Sequence, residues 1–277
     1  MDRRGGTAGV GKWRCRIGAP NPGAANLPPT MNTKPKTIDD YERASQRVID
    51  GLNPEIQRHV CKIDGSYWIH CPLLIMFGIS QHPPELINDA YRRKKALAEK
   101  LLANIRFDPL GYLVLIEKPY RLDAFIEIQD RLSDAQYWRN LEFVFSITEY
   151  VHENSAKWLS LLNSKRRFRP LMMMRKDRKI FKTLPETITI YRGYQHGKFR
   201  HKMGLSWTLL KEKAIWFAHW RSENGSPKVV AGSCRKTDVF CYTNGREEQE
   251  IIIDPAKVIG IRAVRDIDPS PFGPGDV

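Results

Sequence analysis

Three short groups of polar residues in the last third of the chain have types and spacings that suit chemistry. Arg192 closes a β-branched and aromatic run, where a guanidinium offers a planar fork of donors to a phosphate. Gly193, which follows it, lets a flat ligand come close to the backbone. Ser206-Trp207-Thr208 leads into a stretch holding Ala214, Phe217 and Ala218. On a strand, the period of two puts both hydroxyls on one face and Trp207 on the other. Glu248-Gln249-Glu250 precedes Ile251-Ile252-Ile253, and the same period predicts two carboxylates on one face of a strand anchored by isoleucines. Each group by itself also fits a small β-sandwich decorated with polar residues.

In order and spacing, the groups Ile190-Tyr191-Arg192-Gly193, Gly204-Leu205-Ser206-Trp207-Thr208 and Glu248-x-Glu250 resemble the Arg, Ser-x-Ser/Thr, Glu-x-Glu pattern of the ADP-ribosyltransferase superfamily, in the compact form found in bacterial and phage proteins, toxins and effectors among them. The resemblance covers about residues 184–264. It implies a split sheet clasping NAD as co-substrate and no metal. Arg192 would hold the pyrophosphate, the backbone at Gly193 would read the nicotinamide amide, and Ser206 and Thr208 would order the strand and the second glutamate. Glu250 would bond the nicotinamide-ribose hydroxyls and stabilise the oxocarbenium-like ribose left when nicotinamide departs. Glu248 would act as base on the incoming nucleophile, a role that in the family accompanies transfer to arginine. Asn244 and Arg246 lie where the family carries its target-recognition turn, and Trp207, Trp216, Phe217 and Tyr242 are candidates to stack on the cofactor's rings, the alternative being an aromatic stripe of the core. Thr208 stands where the commoner motif has Ser, and Trp207 where it has a small or polar residue. The span from Arg192 to Ser206 is short and basic.

The implied function is mono-ADP-ribosyl transfer to a protein side chain or a nucleic acid. The alternatives are NAD hydrolysis, with water as acceptor, and a non-enzymatic nucleic-acid-binding protein.

The elements that must position these residues follow from periodicity. Beyond Leu184-Pro185 the pattern turns from helical to alternating, predicting strands at 187–191, 203–208, 229–234, 239–242, 248–254 and 258–264 with one helix at 210–220. Upstream the pattern is helical. Thr37 with Asp40 predicts a capped short helix ending near Gly51. Pro84 opens a long helix with Leu86, Ala90, Leu97, Leu101 and Ile105 on its apolar stripe. Residues 112–116 look strand-like, 121–132 helical, and 138–162 a second long helix; 67–79 stays open between strand and buried loop. The expectation is an α+β chain: a flexible basic tail (1–35), a mainly helical region (36–183), a transferase-like split-sheet domain (184–266) and a flexible C-terminal tail (267–277).

At 277 residues with 42% hydrophobic content, the chain has the material for a sizeable core. A balance of 45 Lys+Arg against 31 Asp+Glu, formally +14, favours anionic partners. Part of that charge lies before residue 37, and part in a run from Lys165 to Lys182 that reads equally as a nucleic-acid contact or a solvated helix face. Five cysteines suggest reduced thiols in a cytoplasm, not a disulfide framework. His59, Cys61, His70 and Cys71 match no zinc spacing. No apolar run is long enough for a membrane span, and the first thirty residues lack the apolar block of a secretory signal. Met31 opens the better-ordered part, so the natural start is expected either there or at the head of a flexible tail.

Overall fold

The computed structural model describes residues 37–148, 151–197, 203–220, 225–265 and 267. Both expected tails lie almost wholly outside these residues, as do Lys198, Arg200, His201 and Lys202 of the basic span.

Helix α1 (Ile38–Asp50) begins as its sequence dictates, with the Thr37 hydroxyl accepting from the Asp40 backbone N–H at 3.1 Å. After α2 (Pro54–Gln57), three short antiparallel strands follow: β1 (Val60–Ile63), β2 (Ser66–Cys71) and β3 (Leu74–Phe77). They resolve 67–77 as two strands joined by a turn at Pro72-Leu73, and add a sheet to a half expected to be mainly helical. The signal was Asp64-Gly65, both with positive φ (48° and 79°), which closes a two-residue hairpin between β1 and β2.

The long helix α3 (Pro84–Ala103) is present, but its buried face is Ile87, Tyr91 and Ala98. Leu86 and Leu97 of the expected stripe are exposed, and Ile105 lies beyond the helix end. The buried stripe thus runs one position after the expected Leu86, Ala90 and Leu97, while Leu101 of the expected stripe packs against the core. Residues expected as a strand at 112–116 belong instead to α4 (Pro109–Leu115), where Pro109 suits the first turn and Asp108 caps the Gly111 N–H at 3.0 Å.

Helix α5 (Arg121–Ile128) agrees with expectation, whereas the single helix expected at 138–162 is two. Helix α6 (Asp134–Ile147) starts earlier, from a capping box of Ser133 and Gln136. It ends where the Thr148 hydroxyl bonds back to the Val144 carbonyl at 2.7 Å. A 3-10 turn (Val151–Asn154) precedes α7 (Ser155–Leu162), and a second (Arg169–Met172) precedes α8 (Arg175–Thr183).

The C-terminal part contains β4 (Thr187–Gly197), β5 (Ser206–Thr208), α9 (Lys211–His219), β6 (Gly225–Arg235), β7 (Val239–Thr243), β8 (Glu250–Ile253) and β9 (Ile259–Ala263). All six expected strands and the one expected helix are therefore present. They form one antiparallel sheet in the order β7-β8-β5-β4-β6-β9. At its centre β4 and β5 share a single register pair, Tyr191 with Thr208, while β4 and β6 pair along eleven positions. The sheet thus parts just beyond Tyr191.

Ile188 and Ile190 of β4 point into a core shared with the helical layer, where they meet Leu141, Trp138, Trp158 and Tyr242. On the other face Tyr191 packs with Ala214, Ile215 and Ala218 of α9. The change of composition at Leu184-Pro185 is therefore not a break in the core. Residues of α1, α3 and β1–β3 form a separate apolar cluster around Ile56, Ile69, Ile79 and Ile87. No described helix is long and apolar enough to cross a membrane, and the four described cysteines are all unpaired.

Candidate active site

The parting of β4 from β5 is bridged by a side chain. Arg192 is the first residue of β4 past the shared pair, and its Nη1 donates to the Ser206 carbonyl across the gap at 2.5 Å. Gly204 makes room for it: a Cβ there would sit 2.6 Å from Arg192 Nη2. Burial pushes the guanidinium down to about 10, with Glu250 acting in the opposite sense, so it remains cationic at neutral pH.

Glu250 is the first residue of β8, where it pairs with Thr208 on one side and Thr243 on the other. It is buried, and the Ser206 hydroxyl donates to its Oε1. Burial pushes the carboxyl above the ordinary glutamate range; the Ser206 bond draws it down, Glu248 raises it, and Arg246 and Arg192 lower it. Ser206, Arg192 and Glu250 thus come together from three strands, β5, β4 and β8.

Glu248 reaches the same place by another route. Glu247 and Gln249 both have positive φ (58° and 45°), so the chain before Glu250 is a turn and not the extended strand expected from 248 onward. This turn is pinned by Thr208, whose hydroxyl donates to the Glu248 carbonyl at 2.5 Å, and by the Asn244 side chain, which accepts from the Gln249 N–H at 3.1 Å. The two glutamates are near neighbours because the turn folds back, not because of strand alternation. Arg246 ion-pairs with Glu248 at 3.0 Å.

These groups line a cavity of about 200 Å³. The sheet contributes Arg192, Gly204, Ser206, Arg246, Glu248 and Glu250; the helical layer and α9 contribute Phe145, Ser146, Thr148, Val151, His152 and Phe217. Of the expected site residues, Arg192, Ser206, Glu248, Glu250, Phe217 and Arg246 are on the cavity wall.

Others serve from outside it. Trp207 is buried in the core with its indole N–H on the Gly204 carbonyl at 2.8 Å, and Tyr242 is buried in the same core. Neither reaches the cavity to stack on a ring, because each points from its strand into the helical layer. Thr208 and Asn244 shape the turn that carries Glu248. Gly193 is the contact between β4 and α9: a Cβ there would lie 1.9 Å from the Ala214 carbonyl oxygen. The wall of Phe145, Ser146, Thr148, Val151 and His152 was not legible as a site, since it straddles the end of α6 without a recognisable motif.

Elsewhere, His70 Nδ1 lies 2.7 Å from the Tyr120 hydroxyl, and no cluster of His, Cys, Asp or Glu among the described residues is arranged to hold a metal ion. No family model, curated protein or solved structure matches this chain.

Proposed function

We propose that the chain is a mono-ADP-ribosyltransferase that uses NAD as donor and a macromolecule, a protein side chain or a nucleic acid, as acceptor. The observation that carries this reading is the meeting of Arg192, Ser206 and Glu250 at the parting of an antiparallel sheet, with Glu248 on the same cavity wall. A cavity of about 200 Å³ suits the nicotinamide-ribose end of the dinucleotide; whole drug-sized ligands occupy roughly 300–1,000 Å³.

Arg192 supplies the fixed positive charge for the pyrophosphate. The nicotinamide–ribose bond breaks with its electron pair leaving on the nicotinamide nitrogen, so the departing group is neutral and needs no general acid. The positive charge left on the ribose faces the Glu250 carboxylate, which is itself buried and held by Ser206. The acceptor's nucleophilic atom then bonds the same carbon, and its proton passes to Glu248 once Arg246 yields that carboxylate. Phe217 offers a ring edge or face to the nicotinamide. The unpaired state of the four described cysteines suits a reducing compartment, and we assign the protein to the cytoplasm.

The test is incubation of the purified protein with NAD labelled in its adenylate moiety and a mixed lysate. Label retained on macromolecules is expected. Free ADP-ribose as the sole product would replace transfer with hydrolysis, and unaltered NAD would remove the reading.

A further inference from the structure

The basic run that the sequence leaves open between a nucleic-acid contact and a solvated face divides in the structure into two sets. Arg166 donates to the Leu132 and Gln129 carbonyls at 2.7 and 2.9 Å and lies over the Tyr137 ring. Arg169 sits between Trp138 and Phe240. These cations hold the helical layer together. The second set is on α8, which buries Asp177 and packs Phe181 against the core, turning Arg175, Lys176, Lys179 and Lys182 to solvent.

Where α8 begins, it meets α6 and the 3-10 turn Arg169–Met172 around a second cavity of about 260 Å³. Three guanidinium-bearing residues line it, Arg139 from α6 and Arg175 and Arg178 from α8, with buried Met172 and Met173 and exposed Met174. Arg178 is steadied by the Pro170 carbonyl at 3.1 Å. Arg139 and Arg175 have no hydrogen-bond or ion-pair partner among the described residues. Glu142 shares the wall and has no ion-pair or hydrogen-bond partner among the described residues; burial, with Asp177 and Glu250 nearby, pushes its carboxyl up.

We propose that this cleft and the exposed face of α8 bind the phosphodiester backbone of a nucleic acid. Guanidinium forks match phosphate oxygens. The positive face continues from Arg175 to Lys182, about 10 Å of helix, further than one phosphate group reaches. The patch has charge but no aromatic anchor at its centre, unlike a protein-binding hot spot, and no stacking platform for bases. Binding is therefore to the backbone and independent of sequence. Helix α6 carries Arg139 into this cleft and Phe145 and Ser146, six and seven residues on, into the first cavity, so one helix links the two. The site does not depend on NAD chemistry; if both readings hold, the nucleic acid is the acceptor.

The experiment is fluorescence anisotropy of the full chain with a labelled 20-nucleotide RNA, a 20-base-pair DNA duplex and a polyglutamate of similar length, over a salt series. Four proteins are compared: wild type, Arg139→Gln/Arg175→Gln, a charge-matched Arg92→Gln/Arg93→Gln control on α3, and Glu250→Gln. At least one nucleic acid is expected to bind tightly, and the cleft variant to lose about tenfold in affinity with a salt slope shallower by about 1.5. The α3 control and Glu250→Gln should keep most of the affinity, the latter separating this site from the transferase reading. Equal losses in the two arginine pairs, unchanged binding by the cleft variant, or polyglutamate binding as tight and as sensitive would overturn the proposal.

Discussion

At the scale of single residues, the account rests on the ionisation of Glu250. Its carboxyl is raised by burial and restrained by the Ser206 hydroxyl bond. In the proposed mechanism it is the ionised form that stabilises the ribose cation, so the acid limb of turnover against pH should lie above the range of an exposed glutamate. Ser206→Ala removes a bond that favours the carboxylate, so that limb should move to still higher pH, with folding retained. A limb at unchanged pH in Ser206→Ala would contradict the assigned role. The linkage has the opposite sense for stability. A carboxyl whose folded pKa lies above its unfolded value costs stability as pH rises from the unfolded pKa through the folded one, and that part of the pH dependence should vanish in Glu250→Gln. The identity of these residues was legible in the sequence because their types and order are distinctive. The ion pair of Arg246 with Glu248 was not, since it depends on a turn with two positive-φ residues that are not glycine.

At the scale of elements, the site exists because β4 separates from β5 after one shared pair, while α9 closes over β4 at Gly193. A methyl at Gly193 would drive into the backbone of α9 at Ala214 and Ala218, which no rotamer change relieves. Gly193→Ala should therefore destabilise the fold by about 3 kcal/mol, read in denaturant unfolding; a change below the measurement error would show that α9 is free to move. The strands of this sheet were legible because β-branched residues dominate β4 and three consecutive isoleucines mark β8. The first sheet was not, because its strands alternate weakly: the burial of β1 runs half-buried to exposed and that of β3 buried to exposed, with no period of two. Its one clear signal was the Asp64-Gly65 turn. The break after Ile147 was missed for a related reason, as the apolar period of α6 continues into α7 and only Thr148 marks the stop.

For the molecule as a whole, the sheet and the helical layer share one core, in which Ile188, Ile190 and Trp207 lie against Trp138, Leu141 and Trp158. Only three of the cavity's wall residues, Arg192, Ser206 and Glu250, lie in strands, and five of the others are upstream of residue 184. A fragment of residues 184–277 would expose that apolar face, so it should show neither cooperative unfolding nor dispersed amide resonances, and a well-folded fragment would contradict the shared core. This dependence was not legible in the sequence: composition changes at Leu184-Pro185, whereas the packing across that point is set by contacts distant in sequence. The central claim is most directly tested by nicotinamide release and NAD binding measured on the same preparations of wild type and Glu250→Gln. The account predicts that both bind NAD and that only the wild type releases nicotinamide. Equal release by the two proteins, or no binding of NAD by the wild type, would contradict it.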